Sequence, residues 1–245
     1  MKLAAQDLML DRRLSGVSVA LQAGQVTAIC GPNGAGKSSL LACLAGLLTP
    51  QAGAVTLEGA VLSSLAPRER ARVLGYLPQQ GEVAWDLSVE TLVSLGRLPW
   101  KAGAAADRAA VDAALAALDL KELRQRPLSS LSGGEQARVL RARVLAGAPR
   151  WILADEPLAN LDLAHQLGLL GQFRALAAQG AGVCLVLHDL AQAMNHADRV
   201  IVLDSGGVAA DGPPQEALTE ALIEQVWKVP VRWLGQSGQR ALVAG

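Results

Sequence analysis

The sequence predicts an α/β fold in which two stretches of chain build a largely parallel sheet and an α-helical subdomain is inserted between them. Three observations predict it. Short apolar runs at Val26 to Cys30, Ile152 to Ala154 and Val183 to Leu187 read as buried strands, and helical stretches alternate with them, as in parallel sheets. A glycine-rich loop, Gly31 to Ser38, joins the first of these strands to a helix. From about Gly81 to Pro149 the periodicity is helical and no comparable strand occurs.

Taken in order, Val17, Val19 and Leu21 alternate, and Gly24 turns the chain into the Val26 to Cys30 run. Lys37 to Leu48 is helical and stops at Thr49-Pro50, because a proline ring cannot continue the turn. Val55 and Leu57 alternate towards Gly59, a short strand on the edge of the same domain. Ala-rich Ala102 to Ala117 suits a linker running into a helix. There Val111, Ala114, Leu115 and Leu118 follow i, i+3, i+4, i+7, with Asp107 as the expected cap. Leu163 to Ala178 is a helix ending at Gly180. Beyond Gly206-Gly207 and Pro213-Pro214 a helix covers about Gln215 to Trp227. One domain over residues 1–245 is expected, with 1–80 and 150–245 as the core and 81–149 as the helical subdomain.

Composition narrows the function. Hydrophobic residues make up 51% of the chain, enough for a substantial core. Lys plus Arg and Asp plus Glu both number 22, so net charge provides no footprint for nucleic acid or an anionic membrane. Membrane attachment is therefore expected through protein contacts. Leu40 to Leu48 and Val183 to Leu187 fall far short of the roughly 20 residues that span a bilayer. Asp7, Asp11, Arg12 and Arg13 interrupt any signal-peptide core, so export is not expected. Cys30, Cys43 and Cys184 have no metal-ligand spacing and sit among aliphatic residues, reading as buried small hydrophobes in a reducing compartment.

Three segments carry chemistry. Gly31-Pro32-Asn33-Gly34-Ala35-Gly36-Lys37-Ser38 fits G-x-x-x-x-G-K-[ST] between a strand and a helix. Its glycines let backbone N–H groups turn inward around phosphate oxygens, and the helix N-terminus aims positive charge at the same anion. Lys37 is placed for the β- and γ-phosphates, and Ser38 to put its hydroxyl on Mg²⁺. Trp151 to Glu156 ends an apolar strand in two carboxylates, delivered to the sheet edge where ligands bind. Asp155 suits the Mg²⁺ shell; Glu156 can point at the water attacking the γ-phosphate, as general base or orienting group. Leu131-Ser132-Gly133-Gly134-Glu135-Gln136 is a helix start with Ser132 and Glu135 at capping-box spacing. Two glycines in a first turn cost about 1 kcal/mol each relative to alanine. A cap does not need them; a close phosphate contact, which requires bare backbone, does.

Leu131 to Gln136 resembles the signature motif of ABC (ATP-binding cassette) ATPases, and with the phosphate loop the resemblance covers almost the whole chain. It implies a P-loop NTPase (RecA-like) core with a mostly parallel sheet, a small antiparallel β part and the inserted helical subdomain. It also implies a head-to-tail pair of chains in which Ser132, Gly133, Gly134 and Glu135 of one copy meet the ATP held by Gly31 to Ser39 of the other. Gln79, in Tyr76-Leu77-Pro78-Gln79, matches the Q-loop glutamine, which reaches the Mg²⁺ site and joins core to helical subdomain. Asn160-Leu161-Asp162 matches the D-loop, and His188 matches the switch histidine that bonds the γ-phosphate and orients Glu156 or the water. ATP and Mg²⁺ are the implied cofactors. The implied partners are a second copy and a multi-span permease dimer, indirectly a substrate-binding protein, with the chain peripheral on the cytoplasmic face of the inner membrane and no nucleic acid involved.

The chain departs from the family in places. Leu8 to Leu14 has no aromatic residue to stack on adenine, Ser39 replaces the commoner Thr, and Ala154 is smaller than the usual aliphatic. Most of the five tryptophans are expected as core or interface anchors, with Trp85 and Trp100 on the membrane-partner face. Arg138, Arg141 and Arg143 are expected on a solvated helix face. Within the family, Leu95-Gly96-Arg97-Leu98-Pro99, the run from His188-Asp189-Leu190 to Val200, and the chain's ending soon after Trp233 resemble importers of ferric siderophores, haem and cobalamin. The short segment before Gly16 leans towards cobalamin. The rivals are an ABC exporter ATPase, a DNA-repair or translation ABC ATPase, which usually carries a coiled-coil insertion or two fused cassettes, and a P-loop kinase or GTPase, which needs no Leu131 to Gln136.

Overall fold

The computed structural model describes residues 1–79, 86–100, 102–159 and 161–245. Trp85 and Asn160 lie outside them. In chain order the elements are β1 (Lys2–Leu10), β2 (Leu14–Gln22), β3 (Val26–Cys30), α1 (Lys37–Leu44), β4 (Ala52–Leu57), β5 (Ala60–Val61), α2 (Pro67–Val73) and β6 (Leu74–Leu77). The helices α3 (Val89–Ser94), α4 (Ala104–Ala117) and α5 (Gly133–Ala146) come next. The chain then returns through β7 (Trp151–Asp155), α6 (Leu163–Ala178), β8 (Gly182–Val186), α7 (Leu190–His196), β9 (Arg199–Asp204), β10 (Gly207–Gly212), α8 (Pro214–Ala217), α9 (Glu220–Trp227), β11 (Val231–Leu234) and β12 (Ala241–Ala244).

Six strands form the main sheet in the order β10-β9-β3-β8-β7-β6, parallel throughout except for β10 against β9. Every residue of β3, β7 and β8 is buried, which is why these strands read as unbroken apolar runs: a parallel strand covered on both faces has no water side to alternate with. A separate antiparallel sheet, β2-β1-β4-β5, takes up the Val17, Val19, Leu21 alternation and also Val55 and Leu57. Its apolar face packs with α1 against one side of the main sheet, and α6 to α9 cover the other. A third apolar core, Val89 to Ala146, is shared by α3, α4, α5 and the segment joining α4 to α5, which contributes Leu118, Leu120, Leu128 and Leu131.

Several local expectations need correction. The helix begun at Lys37 ends at Leu44, because Gly46 (φ 69°) takes a left-handed turn there. The single helix over 215–227 is two, split at the fully buried Leu218; Thr219 caps the second by accepting from the Leu222 N–H at 3.2 Å. Asp107 is not a cap but lies inside the first turn of α4 and accepts from Arg97 Nε at 2.9 Å. Arg138, Arg141 and Arg143 are half-buried rather than solvated, and burial lowers the proton affinity of Arg141 and Arg143. Trp100 is half-buried too, its indole N–H donating to the Gly147 carbonyl at 3.0 Å, so its polar edge is engaged inside the chain. The three cysteines are buried, as expected.

Candidate functional site

The parallel ladder assembles the site before any side chain does. Ile29 of β3 pairs with Val186 of β8, Asp155 of β7 with Val186, and Leu77 of β6 with Ala154. The segments leaving β3, β7, β8 and β6 therefore emerge on one edge of the sheet, the crevice at which open α/β sheets bind ligands. Four motifs separated by as many as 157 residues meet there because strand order places them there.

The loop after β3 is shaped by backbone demands. A Cβ on Gly31 would lie 2.2 Å from the Leu203 carbonyl oxygen, and one on Gly36 2.3 Å from that of Arg13; Gly36 also has φ 98°. Gly36 is the N-terminal boundary of α1 and no side chain caps that end, so the first-turn N–H groups are available to an anion. Lys37 is only 6% exposed, and its ammonium donates to the carbonyls of Gly31 at 2.9 Å and Pro32 at 2.8 Å. Burial lowers its pKa, with Glu156, Cys30 and Asp155 offsetting part of that. Ser39 is buried beneath the loop and Ala35 packs inside it.

Opposite the loop, Ser38 donates its hydroxyl to Asp155 Oδ1 at 3.0 Å. Asp155 is 5% exposed, and burial raises its pKa, opposed in part by Ser38 and by the charges of Lys37 and His188. A hydroxyl and a buried carboxylate that lacks a full countercharge form a hard-oxygen pair suited to Mg²⁺, so the residues present fit the ion expected from the sequence. Glu156 sits at φ 48°, a left-handed backbone that a non-glycine residue adopts at a cost of order 1 kcal/mol and that recurs at functional sites. Its two carboxylate oxygens are both engaged: His188 Nε2 lies 2.5 Å from Oε1, and Gln79 Nε2 donates to Oε2 at 2.6 Å. A cavity of about 250 Å³ opens between Asn33, Gly34, Gly36, Lys37, Ser38, Ser39, Glu156 and His188.

Arg13 also lines that cavity, a residue the sequence reading passed over. The usable signal was the turn between β1 and β2, where Arg12 takes φ 55° and the Arg13 N–H bonds to the Leu10 carbonyl, setting basic residues beside the loop.

A family model described as ABC transporter matches residues 14–159. The chain belongs to that family. It is 46% identical over 243 residues to the hemin import ATP-binding protein HmuV of Nocardia farcinica, covering 95% of this chain and 84% of the relative. Among solved structures, a putative metal-chelate type ABC transporter in an inward-facing conformation superposes with TM-score 0.82 at 25% identity, covering 98% of this chain and 95% of that one. A bacterial ABC transporter cassette solved as a dimer superposes with TM-score 0.77 at 25% identity, covering 86% and 98%. The chain is accordingly an ABC ATPase with the expected mixed fold.

In this ABC ATPase the signature segment stands apart from the phosphate loop. Ser132 is the N-cap of α5, accepting from the Glu135 N–H at 3.3 Å, while the Glu135 carboxylate accepts from the Ser132 N–H at 2.7 Å and hydroxyl at 2.8 Å. These bonds hold the Glu135 pKa below the usual carboxylate range. Ser132, Gly133 and Gly134 are exposed, and none of them lines the loop cavity. Gly133 and Gly134 line an adjoining cleft of about 290 Å³ that also touches Gln79 and Glu156. Asp162 lies in neither; it caps α6 and pairs with His165 at 2.8 Å.

Proposed function

We propose that this ABC ATPase is the ATP-hydrolysing subunit of an importer, that its substrate is haem, and that two copies act head to tail beneath a permease dimer. One observation carries the two-chain reading. A Cβ on Gly133 or Gly134 would meet nothing within 4 Å, so packing inside the chain does not require either glycine. Bare, exposed backbone at a helix start is what a phosphate of a facing copy would require.

The chain's own groups divide the work. Lys37 exchanges its loop carbonyls for phosphate oxygens, and the uncapped start of α1 adds its N–H groups. Ser38, Asp155 and Gln79 are the residues that would hold Mg²⁺, which when bound neutralises charge on the β- and γ-phosphate oxygens. Glu156 accepts a proton from the attacking water, and His188, already on Oε1, fixes the carboxylate's direction. Gln79 must release Oε2 before water can take that place. Closure around ATP and reopening after hydrolysis would drive alternating access in the permease. No helix among the described residues is long and apolar enough to cross a membrane, which supports peripheral attachment through the permease.

Haem is preferred over corrinoid or siderophore because relatives 41–46% identical are hemin import ATP-binding proteins. The deciding experiment is ATPase activity of the chain with its permease in nanodiscs, adding binding protein loaded with haem, ferric siderophore or cobalamin in turn. Stimulation by the haem-loaded protein alone is expected. Stimulation by another loaded protein replaces the substrate, and activity indifferent to all three, with transport outward, replaces the import reading.

A further inference from the structure

The segment 95–100, which follows α3, ties the core to the far end of the signature helix. Its carbonyl at Pro99 accepts from Arg68 Nε and Arg72 Nε, each at 2.8 Å, and both arginines belong to α2, which runs straight into β6 and Gln79. On its other side, Arg97 donates to the Ala146 carbonyl and the Trp100 indole to the Gly147 carbonyl, each at 3.0 Å, at the C-terminus of α5. Gly96 packs so closely there that a Cβ would stand 2.0 Å from the Arg143 carbonyl oxygen. The guanidinium carbons of Arg72 and Arg97 lie 5.4 and 5.0 Å from the Trp100 ring centroid, a core cation and a subdomain cation over one ring, each within cation–π range. Asp107 balances Arg97 at 2.9 Å; no carboxylate among the described residues pairs with Arg72.

We propose that Trp100, with Arg72 and Arg97, is a positioning device that sets the angle between the nucleotide-binding core and α5. The 14 residues of α5 span roughly 21 Å. Its C-terminal carbonyls are held at this clasp and its N-terminal end presents Ser132, Gly133 and Gly134. Over that lever a swing of roughly 5° moves the signature by about 2 Å, more than a hydrogen bond to phosphate tolerates. Trp100 lines neither the loop cavity nor the signature cleft, so its loss is expected to act on turnover and leave ATP affinity alone. The clasp also places one α2 residue, Arg72, seven positions before Gln79, so the angle of α5 and the bond from Gln79 to Glu156 are set from the same small cluster.

This inference rests on the ATPase reading for its kinetics but not for its geometry. The test therefore pairs the two, using electron–electron distance measurements between spin labels at Gln22→Cys and Ala105→Cys, both exposed, the native cysteines being buried. The nucleotide-free distance distribution is expected to be narrow in the parent and in Trp100→Phe, and at least twofold broader in Trp100→Ala and Arg72→Ala. Alongside, kcat is expected to fall at least fivefold in the two alanine variants, with ATP affinity by calorimetry within twofold and recovery in Trp100→Phe. Arg72 lies on the core side and its loss leaves the third apolar core intact, so Arg72→Ala decides the matter if Trp100→Ala does not fold. Unchanged distribution widths, or kcat within twofold of the parent in Arg72→Ala, overturn the clasp. Broadened distances in a chain with no ATPase activity would instead overturn the reading of the site.

Discussion

Glycine does opposite work in the two halves of the site. At Gly31 and Gly36 the chain itself forbids a side chain, because the carbonyls of Leu203 and Arg13 occupy the space and Gly36 is left-handed. At Gly133 and Gly134 the space is open and the backbone is helical, so the chain tolerates a Cβ and would be more stable for it. The first pair is explained by packing within one molecule; packing within the described chain does not require the second, which the proposed reading assigns to a facing copy. The same contrast runs through the side chains. Buried Lys37 is tied to the loop carbonyls and Ser38 to buried Asp155, a contact that spans the fold, whereas Ser132 and Glu135 are tied to each other across three residues.

The comparison can be broken or sharpened by substitution, beginning with the largest effect. Glu156→Gln keeps the shape of the core half and removes the proposed proton acceptor; turnover is expected to fall by at least a hundredfold while ATP binding persists and a closed pair accumulates in light scattering. Turnover within a few fold of the parent would move the base elsewhere. Lys37→Ala is expected to weaken ATP binding at least tenfold by calorimetry, and unchanged binding would remove Lys37 from the site. Gly36→Ala and Gly134→Ala test the glycine contrast itself. The first is expected to cost about 2 kcal/mol through strain, about 5 °C in Tm. The second is expected to hold or raise Tm while turnover drops at least tenfold with ATP binding by single chains intact. Equal losses of Tm in both would erase the distinction.

The smallest effect is a pH dependence in the signature half. The Ser132 N–H and hydroxyl lower the Glu135 pKa. The capping box therefore contributes stability in full above the ordinary carboxyl range and loses it as pH falls through the lowered pKa. The Tm difference between the parent and Glu135→Gln is expected to be present at pH 7 and to vanish in strong acid; a difference that grows on acidification would contradict the sign.

Much of this was legible from residue order. Val26 to Cys30 and Leu163 to Ala178 match their elements residue for residue because one is a run buried on both faces and the other an unbroken helical pattern closed by Gly180. The capping box was legible because it is local: Ser132 and Glu135 reach each other across three residues. Asp107 misled because a carboxylate near a helix start satisfies the pattern of a cap, while Arg97, ten residues earlier, had the better claim on it. The C-terminal hairpin β11–β12 was missed because its anchor is tertiary, a reciprocal pair of 2.8 Å bonds between the Asn195 amide and the Arg240 backbone. The contacts of Trp100 were not legible for the same reason: Arg72 of α2 and the Gly147 carbonyl at the end of α5 reach it from distant parts of the chain.

The sequence by itself determined the strand-loop-helix that meets phosphate, the acidic pair ending β7 and the signature helix start, because each is a short stretch whose backbone chemistry is complete within a few residues. Only the tertiary structure decided that Gln79, Glu156 and His188 form one hydrogen-bonded cluster, that Arg13 borders the loop and that Trp100 joins α2 to α5. Those contacts depend on strand order and on helix ends brought together from distant parts of the chain, and no local pattern encodes which ends will meet.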